Sequence, residues 1–315
     1  MSSTDNSEAE AADTWCCASC GIAEVDEIKL KECDGCDLVK YCSDECQEDH
    51  RPQHEAKCKE LVAKLRDKIL FKLPESSFLG DCPICSLPIS IEPKQASLQS
   101  CCSKWICNGC QYANDLRQKR GNIQHTCPFC RHPLPKSEEE AHTNLMKRVA
   151  ANDPLAMMYL GNYLCRSGDY EGAIKYFTKA GDLGDVGAHR HLAFMYGTGE
   201  GAEKNDKKQI YHLEEAAIGG HPEARYEIGC VEWENSKYER AMKHFYIAAR
   251  LGHDRSIQTL ADCYKAGGIN KNFFAAALRA HHAAVEATKS PQREAAAKYY
   301  VVHPLRMARK GKDMC

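Results

Sequence analysis

The chain has 315 residues, 43% of them hydrophobic, and its 42 Lys and Arg against 44 Asp and Glu leave a net charge of −2. That length allows two or three domains, and the near-neutral balance gives no support to non-specific nucleic-acid binding, which needs a basic face to neutralise phosphates. No run of roughly 18 apolar residues is present to form a transmembrane helix, and the acidic stretch from Met1 to Asp13 has neither the basic start nor the apolar core of a secretory signal.

Sixteen of the twenty cysteines lie within the first 130 residues, and alanines crowd the other end. The asymmetry predicts small cysteine-rich domains followed by a separate helical one. Close cysteine pairs with no secretory signal argue against a disulfide scaffold and for a reducing compartment, so the expected localisation is cytoplasmic and/or nuclear. The isolated Cys165, Cys230, Cys263 and Cys315 are expected to be ordinary reduced thiols.

Residues 1–15 read as a disordered acidic tail. Residues 16–58 hold a first ladder, Cys17-x2-Cys20, Cys33-x2-Cys36, Cys42-x3-Cys46 and His54-x3-Cys58. Such pairs suit Zn²⁺, because a short turn places two thiolates on one ion at about 2.3 Å and a distant pair completes the tetrahedron. The ladder resembles the MYND-type zinc finger in all eight ligand positions, and Tyr41-Cys42 supplies that family's Tyr-Cys step. The resemblance implies cross-bracing by two zinc ions, one on Cys17, Cys20, Cys42 and Cys46 and the other on Cys33, Cys36, His54 and Cys58. Cys16 could replace Cys17, although only Cys17 keeps the x2 spacing. With every position filled by protein, both sites are closed and structural, and the metal supplies folding energy that so short a segment cannot. The resemblance further implies binding of short, often proline-rich peptides. Arg51 stands where the family often has Trp, which leaves a purely structural knuckle as the other reading.

Residues 59–75 read as a linker helix. From Glu55 to Leu73 the apolar Leu61, Leu65, Ile69 and Leu73 fall at helical intervals, and Pro74 ends the segment.

Residues 80–132 carry the second ladder, Cys82-x2-Cys85, Cys101/Cys102, Cys107-x2-Cys110 and Cys127-x2-Cys130. It resembles a RING-type finger, opened by Cys82-Pro83-Ile84-Cys85 and closed by Cys127-Pro128-Phe129-Cys130-Arg131. Cys82, Cys85, Cys107 and Cys110 match one complete site. The other aligns with Cys102, Cys127 and Cys130, but the expected His position is Lys104, whose ammonium has no lone pair to donate. Either Cys101 or His125 completes that site, or it stays three-ligand or empty, so the finger is expected to hold one or two zinc ions. The resemblance implies docking of a ubiquitin-conjugating enzyme through Ile84, Pro128 and Arg131. The last of these matches the arginine that bridges the conjugating enzyme and ubiquitin, a role suited to a planar fork of five donors. The family's central-helix Trp would fall near Asn114, with Tyr112 the nearest aromatic. Turn geometry and a solvated charge are the plainer reading of Pro128 and Arg131.

Residues 133–150, with prolines and an acidic run, read as a flexible linker. Residues 151–290 repeat: Ala156, Ala188, Ala224 and Ser256 share a register, followed by Leu160, Leu192, Ile228 and Leu260 and then by Gly161, Ala193, Gly229 and Ala261. A second series runs Phe177, Leu213, Phe245; Ala180, Ala216, Ala248; and Gly184, Gly220, Gly252. The steps of 32, 36 and 32 residues fit two helices per unit, with the excess near Gly197–Gly201. Small residues let helices approach, and the three glycines suit helix C-termini. The region resembles Sel-like repeats of the tetratricopeptide class, which implies a solenoid binding proteins on a concave face. Residues 291–315 read as a capping helix, from Gln292 to Lys310, and a basic tail with Arg306, Arg309, Lys310 and Lys312.

The expected architecture is therefore small zinc-stabilised α+β domains, cross-braced MYND and RING, followed by an all-α solenoid of paired helices. Two functions fit: a RING-type ubiquitin ligase whose other modules recruit substrates, or a non-catalytic zinc-dependent scaffold. A MYND-containing methyltransferase would need a SET domain for which the chain leaves no room.

Overall fold

The computed structural model describes residues 16–302 apart from 26–27, 35, 37–38 and 93. The expected acidic tail, the basic end with Arg306, Arg309, Lys310 and Lys312, and Cys315 lie outside the described residues. The chain falls into two compact units, one up to Leu70 and one from Phe71. Among the described residues, no helix is long and apolar enough to cross a membrane.

In the first unit a short antiparallel pair, β1 (Lys31–Glu32) and β2 (Lys40–Tyr41), leads into α1 (Asp44–Leu70). The core is made of Cys17, Leu30, Cys33, Cys36 and Tyr41. The linker helix expected over 59–75 is not a separate element. It is the second half of α1, which begins inside the finger, carries Cys46, His54 and Cys58, and ends before Leu73 and Pro74. Asp44 and Glu45 in the first turn and Lys68 in the last complement the helix dipole. Ion pairs Lys59–Glu55 and Lys64–Glu60 join neighbouring turns at i,i+4 on its solvent-exposed surface.

The second unit opens with the hairpin β3 (Ala96–Gln99) and β4 (Lys104–Cys107), followed directly by α2 (Asn108–Gly121). Ile89 and Ile106 fill a small core with Cys82, Cys107 and Cys110. The segment read as a flexible linker over 133–150 is largely a helix, α3 (Glu138–Ala150), packed on α4 (Pro154–Ser167). Its acidic run is the first turn, where Ser137 caps the Glu140 N–H and Glu138, Glu139 and Glu140 face the positive helix end. A solvated spacer and a helix N-terminus share this composition.

Helices then pair: α4 with α5 (Tyr170–Asp182), α6 (Val186–Thr198) with α7 (Asp206–Ile218), α8 (Pro222–Glu234) with α9 (Tyr238–Arg250), and α10 (Asp254–Lys265) with α11 (Lys271–Ala287). The register residues Ala156, Ala188, Ala224 and Ser256 are fully buried, as are Phe177 and Leu213, with Phe245 nearly so. Gly161 and Gly229 are small for a reason: a Cβ would sit 2.5 Å from the Phe177 ring and 2.6 Å from the Phe245 ring. Gly184, Gly220 and Gly252 follow the C-caps of α5, α7 and α9 with φ of +88°, +84° and +87°. After each, the next residue sends its N–H back to Ala180, Ala216 or Ala248, the hydrogen bond of a Schellman motif. That same next residue opens the following helix, with Asp185 accepting from the Ala188 N–H and His221 from the Ala224 N–H. The longer second step is the α6–α7 loop, which covers 199–205 where the next unit needs only 235–237. Gly197 itself still lies within α6, which ends at Thr198.

The last helix departs from expectation. The solenoid end is covered by α11, which packs on α9 and α10, whereas α12 (Pro291–Val302) lies along α2 of the hairpin module. The module is also joined to the repeats elsewhere: Phe78 stacks on His221 at 4.3 Å, and Trp105 meets Tyr159 at 6.3 Å.

Because Phe177 is fully buried against a matching glycine, Phe177→Ala should cost about 3–5 kcal/mol, the usual penalty for emptying an aromatic core site. Urea unfolding followed by circular dichroism at 222 nm measures it.

Candidate metal centres

Four clusters of cysteine and histidine form among the described residues, and in each the ligand atoms lie within 4.8 Å of one another: Cys17, Cys20, Cys42, Cys46; Cys33, Cys36, His54, Cys58; Cys82, Cys85, Cys107, Cys110; and Cys101, Cys102, Cys127, Cys130. Both ladders are thereby cross-braced.

Three C-x2-C pairs are built alike. Backbone N–H groups of Gly21, Ser86 and Arg131 bond to the carbonyls of Cys17, Cys82 and Cys127, and each of the three takes a left-handed φ of +78°, +53° and +60°. A bridge closes each loop, Cys16 to Ala23, Asp81 to Pro88 and Thr126 to Pro133. Cys16 is thus used by its backbone in that bridge, and Cys17 takes the ligand position. On α1, His54 and Cys58 stand four residues apart and so share a face. His54 presents Nε2 to Cys36 Sγ at 3.4 Å, and its ring stacks on His50, which is hydrogen-bonded to the Tyr41 hydroxyl at 3.0 Å. Burial and the neighbouring His50 lower the pKa of His54, which favours the neutral imidazole a metal requires.

The spacings fit zinc. A tetrahedral ion with bonds of about 2.3 Å to sulfur and about 2.05 Å to nitrogen sets ligand edges of about 3.8 Å and about 3.6 Å. The sulfurs stand 3.5 Å apart in Cys20–Cys42, 3.6 Å in Cys42–Cys46, 3.9 Å in Cys33–Cys58 and 3.7 Å in Cys85–Cys107. In the last cluster, Cys101–Cys130 is 3.3 Å and Cys102–Cys127 is 3.9 Å. All far exceed the roughly 2.05 Å of a disulfide.

The donor chemistry agrees. Crowded thiols divide charge unevenly: a hydrogen bond from Cys107 helps bring Cys82 down to about 4, while burial pushes Cys110 up to about 12. Likewise a hydrogen bond from Cys101 helps bring Cys127 to about 5, and burial raises Cys102 to about 12. A divalent cation at the centre lets all four sulfurs ionise together, releasing protons as it binds. Each cluster could therefore hold zinc in a closed, structural site.

At the second ladder Cys101, and not His125, joins Cys102, Cys127 and Cys130 in the cluster. The tight turn of the β3–β4 hairpin, pinned by the Cys102 and Ser103 N–H groups on the Gln99 carbonyl, presents both adjacent cysteines to Cys127 and Cys130. His125 is exposed and outside the cluster. Lys104 turns its side chain to solvent, and only its backbone serves the site, through a hydrogen bond to Cys102.

Ile84 is 43% exposed, Arg131 is exposed and Pro128 is half-buried. Asn114 of α2 donates to the Thr126 carbonyl at 2.9 Å, and Gln118 donates to the same oxygen at 3.2 Å. Two residues escaped the sequence reading. Arg293 donates to Cys85 Sγ at 3.4 Å from 208 positions away, with no local signal in its own segment. Gly109, between two ligands, sits where a Cβ would meet Arg293 Cγ at 2.8 Å.

Residues 17–58 match the MYND finger family, and residues 154–185, 186–221 and 223–253 match the Sel1 repeat. The chain therefore contains a MYND finger followed by Sel1 repeats. The matches begin with α4, α6 and the start of α8, while α10 keeps the register one unit further, with Ser256 and Leu260 buried. No curated protein matches the chain significantly. Among solved structures, a Sel1 repeat protein from Oxalobacter formigenes is 24% identical, covering 52% of this chain and 71% of its own, with a TM-score of 0.40. The c5321 protein, a protective antigen of uropathogenic Escherichia coli strains with an SLR fold, is 18% identical, covering 66% of this chain and 43% of its own, with a TM-score of 0.38.

Two substitution sets test the centres. Cys36→Ser should remove zinc from the first unit and unfold it while the helical signal of the second unit persists, read by metal analysis and circular dichroism. Cys101→Ser should cost the protein a bound zinc ion, whereas Lys104→Ala and His125→Ala should leave the metal content unchanged.

Proposed function

We propose that the second ladder is a RING-type finger, that the chain holds four structural zinc ions, and that it acts as a ubiquitin ligase whose MYND finger and Sel1 repeats recruit substrates. A MYND finger and Sel1 repeats support a zinc-binding protein–protein interaction role. The cytoplasm or nucleus, where thiols stay reduced, is its place of action in this reading.

The observation that carries the ligase reading is the pair of matched knuckles around Cys82–Cys85 and Cys127–Cys130, with Ile84 and Arg131 exposed and Pro128 half-buried between them. Arg131 holds a left-handed conformation, which costs a non-glycine residue of order 1 kcal/mol. The equivalent slots hold Gly21 and Ser86, so the turn has no need of a long cation. An exposed arginine there is suited to an intermolecular role, and its fork can bridge two partners. The transfer chemistry would belong to the conjugating enzyme. All four metal sites are closed and hold shape only.

A second reading, a scaffold without ligase activity, has one observation in its favour. Asn114 stands where an aromatic contact would be expected and is committed to the Thr126 carbonyl. The MYND finger would then bind short peptides and the repeats folded partners, with no ubiquitin transferred.

The test is discharge of ubiquitin-loaded conjugating enzymes, with zinc measured on the same samples. Wild type should accelerate discharge, and Arg131→Ala should abolish the acceleration while keeping its zinc. Folded, zinc-loaded protein that stimulates no enzyme in a broad panel would favour the scaffold.

A further inference from the structure

The first turn of α12 ends against the Cys82–Cys85–Cys107–Cys110 cluster. Arg293 Nη2 donates to Cys85 Sγ at 3.4 Å and to the Leu87 carbonyl at 3.1 Å, and Nη1 donates to the Pro88 carbonyl at 2.6 Å and the Thr288 carbonyl at 2.8 Å. The guanidinium thus ties the loop that follows Cys85 to the end of α11. Gln292 Nε2 donates to the Gly109 carbonyl at 2.8 Å, between ligands Cys107 and Cys110. Further along, Tyr300 donates to Asp115 Oδ2 at 3.0 Å, Lys119 donates to the Tyr299 hydroxyl at 2.6 Å, and both tyrosine rings pack on Tyr112. Gly109 is what permits this approach, since a Cβ there would lie 3.1 Å from the Arg293 backbone nitrogen.

We infer that Arg293 is an outer-sphere partner of the Cys82–Cys85–Cys107–Cys110 zinc site, making the last helix an integral part of the second finger. The inference rests on the zinc reading above. Four thiolates on one Zn²⁺ leave a net charge of −2, and a donor on a ligand sulfur withdraws part of that charge. A cation fixed by three carbonyls does so without having to be ordered first. Lysine could supply charge but not this fork. Outer-sphere partners of this kind typically change metal affinity 10- to 100-fold.

The experiment uses the full-length protein, with zinc affinity measured by chelator competition and the sites resolved by ¹¹³Cd NMR after cadmium exchange. Arg293→Gln should weaken a single site about 10- to 100-fold and shift a single cadmium resonance, with the other sites and the helical signal unchanged. Arg293→Lys should fall between Arg293→Gln and wild type. Tyr300→Phe, which loosens α12 on α2 but keeps the guanidinium, should retain wild-type affinity. Unchanged affinity and resonances in folded Arg293→Gln would overturn the inference, as would Tyr300→Phe losing the same metal equally. If the wild-type cluster took up no metal, the zinc reading itself would fail, which is a different result.

Discussion

Mutual repulsion among clustered thiolates is the constraint that shapes the first 130 residues. Four sulfur-rich tetrads replace the hydrophobic cores that such short modules cannot build, and their atoms stand at the edge lengths of a zinc tetrahedron. Only a few apolar side chains, Leu30 and Tyr41 in one module and Ile89 and Ile106 in the other, fill the space between the clusters. In each module the ligand pairs interleave, so that one pair of each cluster lies between the two pairs of the other and the intervening chain links the two sites. Metal and fold are therefore one equilibrium.

The helical half follows a different economy. Its register of Ala, Ser and Gly carries no large surface to bury; it sets distances. Phe177 and Phe245 enter the space that Gly161 and Gly229 leave open, and Schellman glycines turn each helix into the next within three residues. The second finger is attached to this scaffold at several points and reached by the final helix. It is thereby held in place rather than tethered by a flexible linker.

The legibility of the metal sites divides along sequence distance. The first ladder could be read because its ligands come in pairs separated by two or three residues, a spacing visible in the chain itself. Cys101 against His125 could not be decided that way, because both lie near the ligand pair in sequence. Only the hairpin shows that the tight turn aims two adjacent cysteines at Cys127 and Cys130 while Lys104 faces solvent. The acidic run at Glu138 was misread for a related reason. Charge composition alone does not separate a spacer from a helix start, and the cap from Ser137 decides it. The continuity of α1 through the first finger was hidden by its ligands, whose spacing could be read without any helix.

By itself the sequence determined the MYND finger, the two ladders, the period of the repeats and the small residues that set helix spacing. Each of these is written in separations of a few residues or in a repeat. Tertiary structure alone decided that α12 leaves the solenoid for α2, that Gly109 must be small and that Arg293 reaches Cys85. Those facts depend on two segments some 180 to 208 residues apart meeting in space, and no local propensity encodes such a meeting.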